Sequence, residues 1–181
     1  ALDNTQVNYS AHLYSGLTER KQITALCLYL NTYSLKEGAI SHEILDALHW
    51  EQRNLCLDTA TRYGAFHVGT LGDALLFYFG YPKSSDNDIR LCARTALELV
   101  SGLNKRNALL KTTQGIIMDI RIGIHTGLVT CYADTPPEGE TPNTASQLAR
   151  LSQRNQILCS ETSRKMLESY IEFKPVPNPS G

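Results

Sequence analysis

The chain has 181 residues, of which 42% are hydrophobic and 19% charged, the composition of a globular domain large enough to bury its own core. Its formal net charge of -1 gives no electrostatic reason to expect nucleic acid or an anionic membrane as a partner. No apolar run is long enough to span a bilayer, and the first residues lack the pattern of a signal peptide.

The first half of the chain predicts a strand followed by a helix. Residues 1–20 are mostly polar, which indicates a lead-in or linker. Residues 23–30 are apolar almost throughout, as expected of a central strand buried on both faces. The helix begins after an N-cap at Ser41 and ends at Gly64. Its predicted apolar face consists of Ile44, Leu45, Leu48 and Leu55.

Two apolar runs flank Gly72 and Asp73 within residues 63–82, which predicts a β-hairpin with that pair at its tip. Asp73 is then either an ordinary turn residue or one arm of a metal site, which would need a partner carboxylate on a neighbouring strand. A helix follows, with Ser85 and Asp88 at its start in the manner of a capping box. Its apolar face comprises Ile89, Cys92, Ala93, Ala96, Val100 and Leu103.

A second hairpin is predicted for residues 116–133. Its isoleucines alternate with Asp119, Arg121 and His125, so one face should be buried in the core and the other exposed to solvent. A helix at 143–154, a strand at 156–160 and a helix at 161–170 complete the chain.

This order contains a strand-helix-strand, strand-helix-strand core, which predicts a ferredoxin-like α+β sandwich. Its sheet should be mixed but mostly antiparallel, with the helices packed on it. We expect one domain over residues 21–174, preceded by the lead-in at 1–20 and followed by a tail at 175–181.

The cysteines predict an intracellular setting. Their number is odd and none forms a CxxC pair, which favours reduced core thiols over disulfides or a zinc framework. They are Cys27, Cys56, Cys92, Cys131 and Cys159. We expect a cytoplasmic domain, which could be the cytosolic part of a larger membrane-anchored protein because the chain begins at Ala1 rather than Met.

Four segments in order resemble the catalytic domain of class III adenylate and guanylate cyclases. They are ERKQITALCLYLNTYS, GDALLFYFGYP, IRIGIHTGLV and NTASQLARLSQRNQILCSETSRKML. The resemblance implies the same ferredoxin-like fold and a head-to-tail dimer with each active site at the interface. In the family, two aspartates hold two divalent ions against the triphosphate. An asparagine and an arginine on one helix act from across the interface, and a lysine and an aspartate read the purine.

The resemblance places one of the two metal-binding aspartates in this chain. Asp73 matches the hairpin aspartate, whereas the aspartate of the first strand falls at Tyr29. A neutral phenol is a poor magnesium ligand, so Tyr29 is better explained as an aromatic core or interface residue. Asn31 could face the same way, but an amide does not replace the missing charge.

The helix that carries the asparagine and the arginine in the family also lacks one of its two residues here. Asn143 matches the family's asparagine, but its arginine falls at Gln147, four residues on and on the same helix face. Glutamine carries no charge to offset the developing anion. Arg150 lies one turn further along the helix but on a different side of it. Asn143 could equally be a helix N-cap.

The purine-reading positions are also altered, because the expected lysine falls at Gly69 and the expected aspartate near Pro136. His125 is shared with active relatives, in which it is structural.

Together these replacements predict a pseudocyclase, an inactive domain that serves as a dimerisation or regulatory module in signalling. The open alternatives are an active adenylate or guanylate cyclase with an atypical metal site, and a sensor of nucleotides or other small molecules. We expect no cofactor, with magnesium or manganese needed only for the active alternative. The expected partner is a second copy or another cyclase-like domain, with a nucleotide as a candidate ligand. We expect no nucleic acid partner and no membrane contact by this segment.

Overall fold

The structure is a computed structural model that describes residues 18–36, 38, 40–71 and 73–177. The lead-in up to residue 17, the predicted tip residue Gly72 and residues 178–181 of the tail lie outside these residues. The described elements, in chain order, are β1 (Glu19–Ser34), α1 (His42–Arg62), β2 (Phe66–Leu71), β3 (Ala74–Phe79), α2 (Asp88–Gln114), β4 (Ile116–Cys131), α3 (Glu140–Leu151), β5 (Gln156–Cys159) and α4 (Glu161–Leu167).

The sheet has the order β2-β3-β1-β4-β5. Strand β1 pairs antiparallel with β3 and with β4, β2 pairs antiparallel with β3, and β5 joins β4 in parallel. The unit β1-α1-β2-β3-α2-β4 with the spatial order β2-β3-β1-β4 is a ferredoxin-like arrangement, to which α3, β5 and α4 are added. The predicted α+β fold is therefore confirmed.

The second predicted hairpin is wrong, because residues 116–131 form the single strand β4. Strand β1 is equally long and starts at Glu19, so it pairs with β4 without interruption from Glu19 opposite Cys131 to Ser34 opposite Ile116. Gly123 lies inside this strand, beneath α3. A Cβ atom at this position would lie 2.1 Å from the carbonyl oxygen of Ala145, so glycine lets α3 lie directly on the strand.

The two faces of the sheet are covered differently. The predicted isoleucine face of β4 is buried with the even-numbered residues of β1 against α1 and α2, which confirms it as core. The other face was expected to be exposed to solvent, but Ala145 and Ala149 of α3 pack on it. Asp119 on this face is only 3% exposed. That face of β4 is therefore largely covered, because a helix from later in the chain lies on it.

The helix starts were predicted with mixed success. Ser41 does cap α1, since its Oγ accepts a hydrogen bond from the Ile44 amide at 3.3 Å. However, Ile44 and Leu55 are about half exposed, because α1 packs through a neighbouring stripe that includes Cys56 and Ala60. The predicted face of α2 is confirmed except at Val100, which is only partly buried. Its first turn starts at Asp88, whose carboxylate accepts hydrogen bonds from Ser85.

All five cysteines are free thiols. Three of them are buried, and burial raises the pKa of Cys27 to about 11 and that of Cys56 to about 12, so both stay neutral at physiological pH. In the part of the chain that the structure describes, no helix combines the length and the apolar character needed to cross a membrane.

Candidate functional site

The hairpin tip and the first strand meet at one point of the sheet. Asp73 is exposed at the turn between β2 and β3, directly before Ala74. The β1–β3 register places Ala74 opposite Tyr29. A carboxylate at position 29 would thus lie beside Asp73, which is the arrangement that the resemblance implies for a pair of metal ligands.

Tyr29 is instead packed as an aromatic side chain. It is partly buried against a cluster that contains Cys27, Ala74 and Ala145, on the sheet face covered by α3. Its hydroxyl lies 3.5 Å from Oγ of Ser146 on α3, at the limit of a hydrogen bond. The phenol therefore links the first strand to the helix and supplies no negative charge.

Asn31 shares the sheet face of Tyr29, two residues along β1, but its amide is already engaged. Its Nδ2 donates to Oδ1 of Asp119, its direct neighbour on β4, at 3.2 Å. The other carboxylate oxygen of Asp119 lies 3.6 Å from Nε of Arg154. Arg154 in turn lies over the ring of Tyr33, with 5.3 Å between its guanidinium carbon and the ring centroid.

The helix residues lie on the exposed side of α3. Asn143 and Gln147, four residues apart, are both exposed to solvent. Asn143 is not the N-cap, because the helix begins three residues earlier, at Glu140, and its N-cap residue is Gly139. Arg150 has a different bearing, since its Nη2 donates to Oγ of the buried Ser146 at 3.5 Å.

The two positions expected to read a purine carry no suitable side chain. Gly69 lies at a bulge of β2 and has a φ of 143°, a backbone conformation that a lysine would adopt only under strain. Pro136 is exposed in the loop before α3. The next residue of that loop, Pro137, accepts a hydrogen bond from the hydroxyl of Tyr78 at 2.8 Å, which ties the loop to the sheet.

His125 joins β4 to the start of α4. Its Nδ1 lies 2.7 Å from Oγ of Ser160, the N-cap residue of α4. A chain of hydroxyl contacts continues from Ser160 through Ser163 and Thr126 to β1. Burial lowers the pKa of His125, so the neutral imidazole is favoured in the folded protein. These contacts fit the structural role expected of this residue.

Sequence reasoning missed two charged residues of this face, Asp119 and Arg121, because it assigned them to a wet surface. Arg121 lies opposite Tyr29 in the β1–β4 register. Its Nε is buried and makes no hydrogen bond within the described residues. The signal was present in the sequence, because strand alternation puts positions 119 and 121 on one face of the strand.

The residues present do not fit a two-metal site. Asp73 directly precedes Ala74, the register partner of Tyr29, and Asp119 is engaged by Asn31 and Arg154. Over the described ranges, no three side chains of histidine, cysteine, aspartate or glutamate converge on a point where an ion could be held. Two divalent cations need several oxygen ligands with negative charge, which this donor set lacks.

Comparison with known proteins decides the family. Residues 29–178 match the adenylate and guanylate cyclase catalytic domain. The chain belongs to this family. A receptor-type guanylate cyclase of Caenorhabditis elegans, gcy-23, is 33% identical over an alignment of 130 residues, and the match covers 65% of this chain and 12% of that protein. The cyclase domain described here thus spans about an eighth of the length of this relative.

Solved cyclase domains share the fold at low sequence identity. The guanylate cyclase domain of RhGC from Catenaria anguillulae in complex with GTP superposes with a TM-score of 0.71 at 23% identity, covering 88% of this chain and 89% of that one. A non-canonical dimeric guanylyl cyclase domain of the RhoGC fusion protein from the aquatic fungus Blastocladiella emersonii gives 0.72 at 21% identity, covering 91% and 93%.

Proposed function

We propose that this cyclase-family domain is a pseudocyclase, which acts in signalling as a dimerisation or regulatory module rather than as a catalyst. The observation that carries the proposal is the side chain of Tyr29. It stands at the strand position beside Asp73 and contacts Ser146, where a second carboxylate would be needed to hold metal ions.

The loss of the arginine adds to the loss of the carboxylate. Loss of an arginine that faces a transferring phosphate lowers the rate by roughly 10³ to 10⁵ in phosphoryl-transfer enzymes, or about 4–7 kcal/mol of barrier. Gln147 has the exposed position of such an arginine on α3 but brings no charge to it. The loss of the second metal-binding aspartate would lower the rate further, although the two effects need not add.

Pairing with another chain does not repair either site. In a head-to-tail dimer, the half that donates the metal ligands needs both aspartates, and the opposite half needs both the asparagine and the arginine. This chain has Asp73 without its partner and Asn143 without its partner. It would therefore be incomplete in a homodimer and as either half of a heterodimer with another cyclase-like domain.

The relatives support a role within a larger signalling protein. One solved relative is a dimeric guanylyl cyclase domain, and the curated relative is a receptor-type cyclase of which this chain covers a small part. We therefore propose that the domain pairs with a second copy or with a related domain. Its proposed location is the cytoplasm, as the cytosolic part of a longer protein.

The decisive experiment is a cyclase assay on the purified domain. ATP or GTP is supplied with Mg²⁺ or Mn²⁺, and cyclic nucleotide is quantified by mass spectrometry. The expected result is no product above a buffer blank, while sedimentation of the same sample shows a concentration-dependent dimer. Asp73→Ala is the matched control for contamination. Turnover by the wild-type domain that Asp73→Ala abolishes would contradict the proposal and indicate an active cyclase with an atypical metal site.

A further inference from the structure

Four side-chain hydroxyls form a continuous chain of contacts that begins at His125. Nδ1 of His125 lies 2.7 Å from Oγ of Ser160, which lies 3.4 Å from Oγ of Ser163. Oγ of Ser163 is 2.9 Å from Oγ1 of Thr126, and that atom is 2.9 Å from Oγ1 of Thr24. The last three residues are at most 3% exposed, so the inner part of this hydroxyl chain is shielded from water.

The hydroxyl chain joins the two faces of the sheet. His125 lies on the α3 face of β4, and the adjacent Thr126 points to the opposite face, because successive residues of a strand alternate. Thr24, the register partner of Thr126 on β1, shares that opposite face. Ser160 and Ser163, at the start of α4, connect the two sides. A change in the hydrogen bonding of His125 can therefore reach β1 through α4.

The direction of the chain is decided by the one proton of the Ser160 hydroxyl. Ser160 is the N-cap of α4, and its Oγ accepts a hydrogen bond from the Ser163 amide at 3.3 Å. Its proton can go to Nδ1 of His125 only while that nitrogen carries no proton of its own. In the charged imidazole Nδ1 is a donor. The Ser160 proton then becomes available to Oγ of Ser163, the direction in which their contact has hydrogen-bond geometry.

No carboxylate competes with Ser160 for His125. Within the described ranges, none lies within 4.0 Å of its ring nitrogens, and burial is what lowers its pKa. Of the neighbouring groups, Glu161 and Arg164 pair with each other, and burial raises the pKa of Cys27 to about 11 and that of Cys159 to about 12, so both thiols are neutral. The titratable and charged side chains that adjoin His125 by strand register or by sequence are Cys27 on β1, Arg121 on β4, Glu140 on α3, Cys159 on β5, and Glu161 and Arg164 on α4.

We propose that Ser160 is a two-position proton switch that His125 controls. While the imidazole is neutral, Ser160 donates to Nδ1 of His125, and the chain of donors is interrupted between Ser160 and Ser163. Once the imidazole is charged, Ser160 donates to Ser163, and the donors run without interruption through Thr126 to Thr24 on β1. Acidification thereby couples the first turn of α4 to the sheet.

The switch gives the domain a response to pH that needs no ligand. Helix α4 packs through Leu167 on Ile89 and Ala93 of α2, so its attachment to β1 also affects how it is held against α2. The ordinary pKa of histidine, about 6.5, places the switch near physiological pH, and burial moves its midpoint lower. The inference goes beyond the proposed function, because it concerns regulation through α4 and neither requires nor excludes turnover.

NMR spectroscopy between about pH 5 and 8 tests the inference, because histidine changes its charge in this range. The nitrogen shifts of His125 should show a neutral ring protonated at Nε2 at high pH, which leaves Nδ1 free to accept. The methyl signals of Thr126 and Thr24 should shift with the same midpoint as His125, because their hydroxyl bonds change as the ring becomes charged. A neutral ring protonated at Nδ1, or threonine signals that do not follow His125, would contradict the inference.

Ser163→Ala interrupts the chain in its middle. His125 should still titrate in this variant, but the methyl signals of Thr126 and Thr24 should lose most of their response. Thr162→Ala is the matched control, since Thr162 lies on the same turn of α4 but is exposed and outside the hydroxyl chain. This control should keep the full response. A response that persists in Ser163→Ala would mean that the signal takes another route, and the inference would be wrong.

Ser160→Asp separates the cap from the proton. Aspartate is as good an N-cap as serine, so α4 should still form, but its carboxylate has no proton to pass on. The pKa of His125 should rise by about 1 or more, because the opposite charge favours the charged ring. The threonine signals should no longer follow His125. If they follow it as in the wild type, Ser160 is not the switch. The cyclase assay judges the proposed function separately, because its outcome does not depend on this hydroxyl chain.

Discussion

The two faces of the sheet have different compositions. On the face toward α1 and α2, β1, β3 and β4 contribute a continuous apolar cluster without a charged side chain among its buried members. On the other face, Ala145 and Ala149 of α3 pack close to Gly123 of β4, and the same face carries Tyr29, Asn31, Asp119 and Arg121. The first face maintains the cyclase fold, and Tyr29, where the resemblance places an aspartate, lies on the second. A substitution at position 29 can therefore change the chemistry of the second face without cost to the core on the first.

The largest effect should follow from damage to the first face. Phe77 on β3 is completely buried in the apolar cluster. Phe77→Ala should lower the free energy of unfolding by about 3–5 kcal/mol, because it removes the aromatic contacts and leaves a cavity. Urea denaturation followed by circular dichroism measures this. Leu97→Ala is the control, since Leu97 on α2 is 49% exposed and should cost much less. Equal losses for the two variants would mean that the cluster is not the main source of stability.

The next largest loss of stability should come from disturbing the contact between α3 and the second face. An alanine Cβ at position 123 would come within 2.4 Å of the Ala149 amide nitrogen as well as close to Ala145. We expect Gly123→Ala to cost about 3 kcal/mol, the upper end for overpacking, because a backbone cannot yield as a side chain does. The same denaturation experiment measures it.

A matched glycine provides the control. Gly102 lies within α2 and has no atom within 4 Å of an added Cβ, so Gly102→Ala should stabilise the domain by about 0.5–1 kcal/mol. If Gly123→Ala were as harmless as Gly102→Ala, α3 would not lie flush on β4. The second face would then be more open than the structure shows.

The fold could be predicted from the sequence wherever one element decided its own conformation. Alternation along β4 and the cap at Ser41 are such cases, and both were correct. The second hairpin was wrong because the turn depended on β1. Strand β1 has 16 residues and pairs with β4 over its whole length. The length of β1 cannot be read from residues 116–131 alone.

The candidate site was less accessible to sequence reasoning for a similar reason. The positions of Asp73 and Tyr29 came from the resemblance, and their adjacency follows the β1–β3 register. The pairing of Asp119 with Arg154 joins β4 to the turn after α3, which only the packed structure brings together. The burial of Arg121 Nε without a hydrogen-bond partner likewise depends on how separate elements pack together. No local sequence pattern could therefore predict it.

The smallest effect is a pH dependence of the free energy of unfolding. It arises from His125, where β4 contacts the start of α4. Burial lowers the pKa of His125 below its ordinary value, so the unfolded chain binds protons more readily than the folded one in the window just below pH 6.5. The free energy of unfolding should therefore be fully maintained above that window and should fall as pH drops through it. The slope stays below about 1.4 kcal/mol per pH unit, the limit for one complete proton.

His125→Gln isolates this contribution. Glutamine keeps a polar group for Ser160 but does not titrate, so the variant should lose part of the wild-type pH dependence between about pH 5 and 7. His67→Gln is the counterpart on β2, because burial and Arg53 also lower the pKa of His67. The two residues lie on separate strands and should contribute additively to the pH dependence. Urea titrations at constant ionic strength measure it, and an unchanged slope in His125→Gln would show that this imidazole takes up a proton equally in both states.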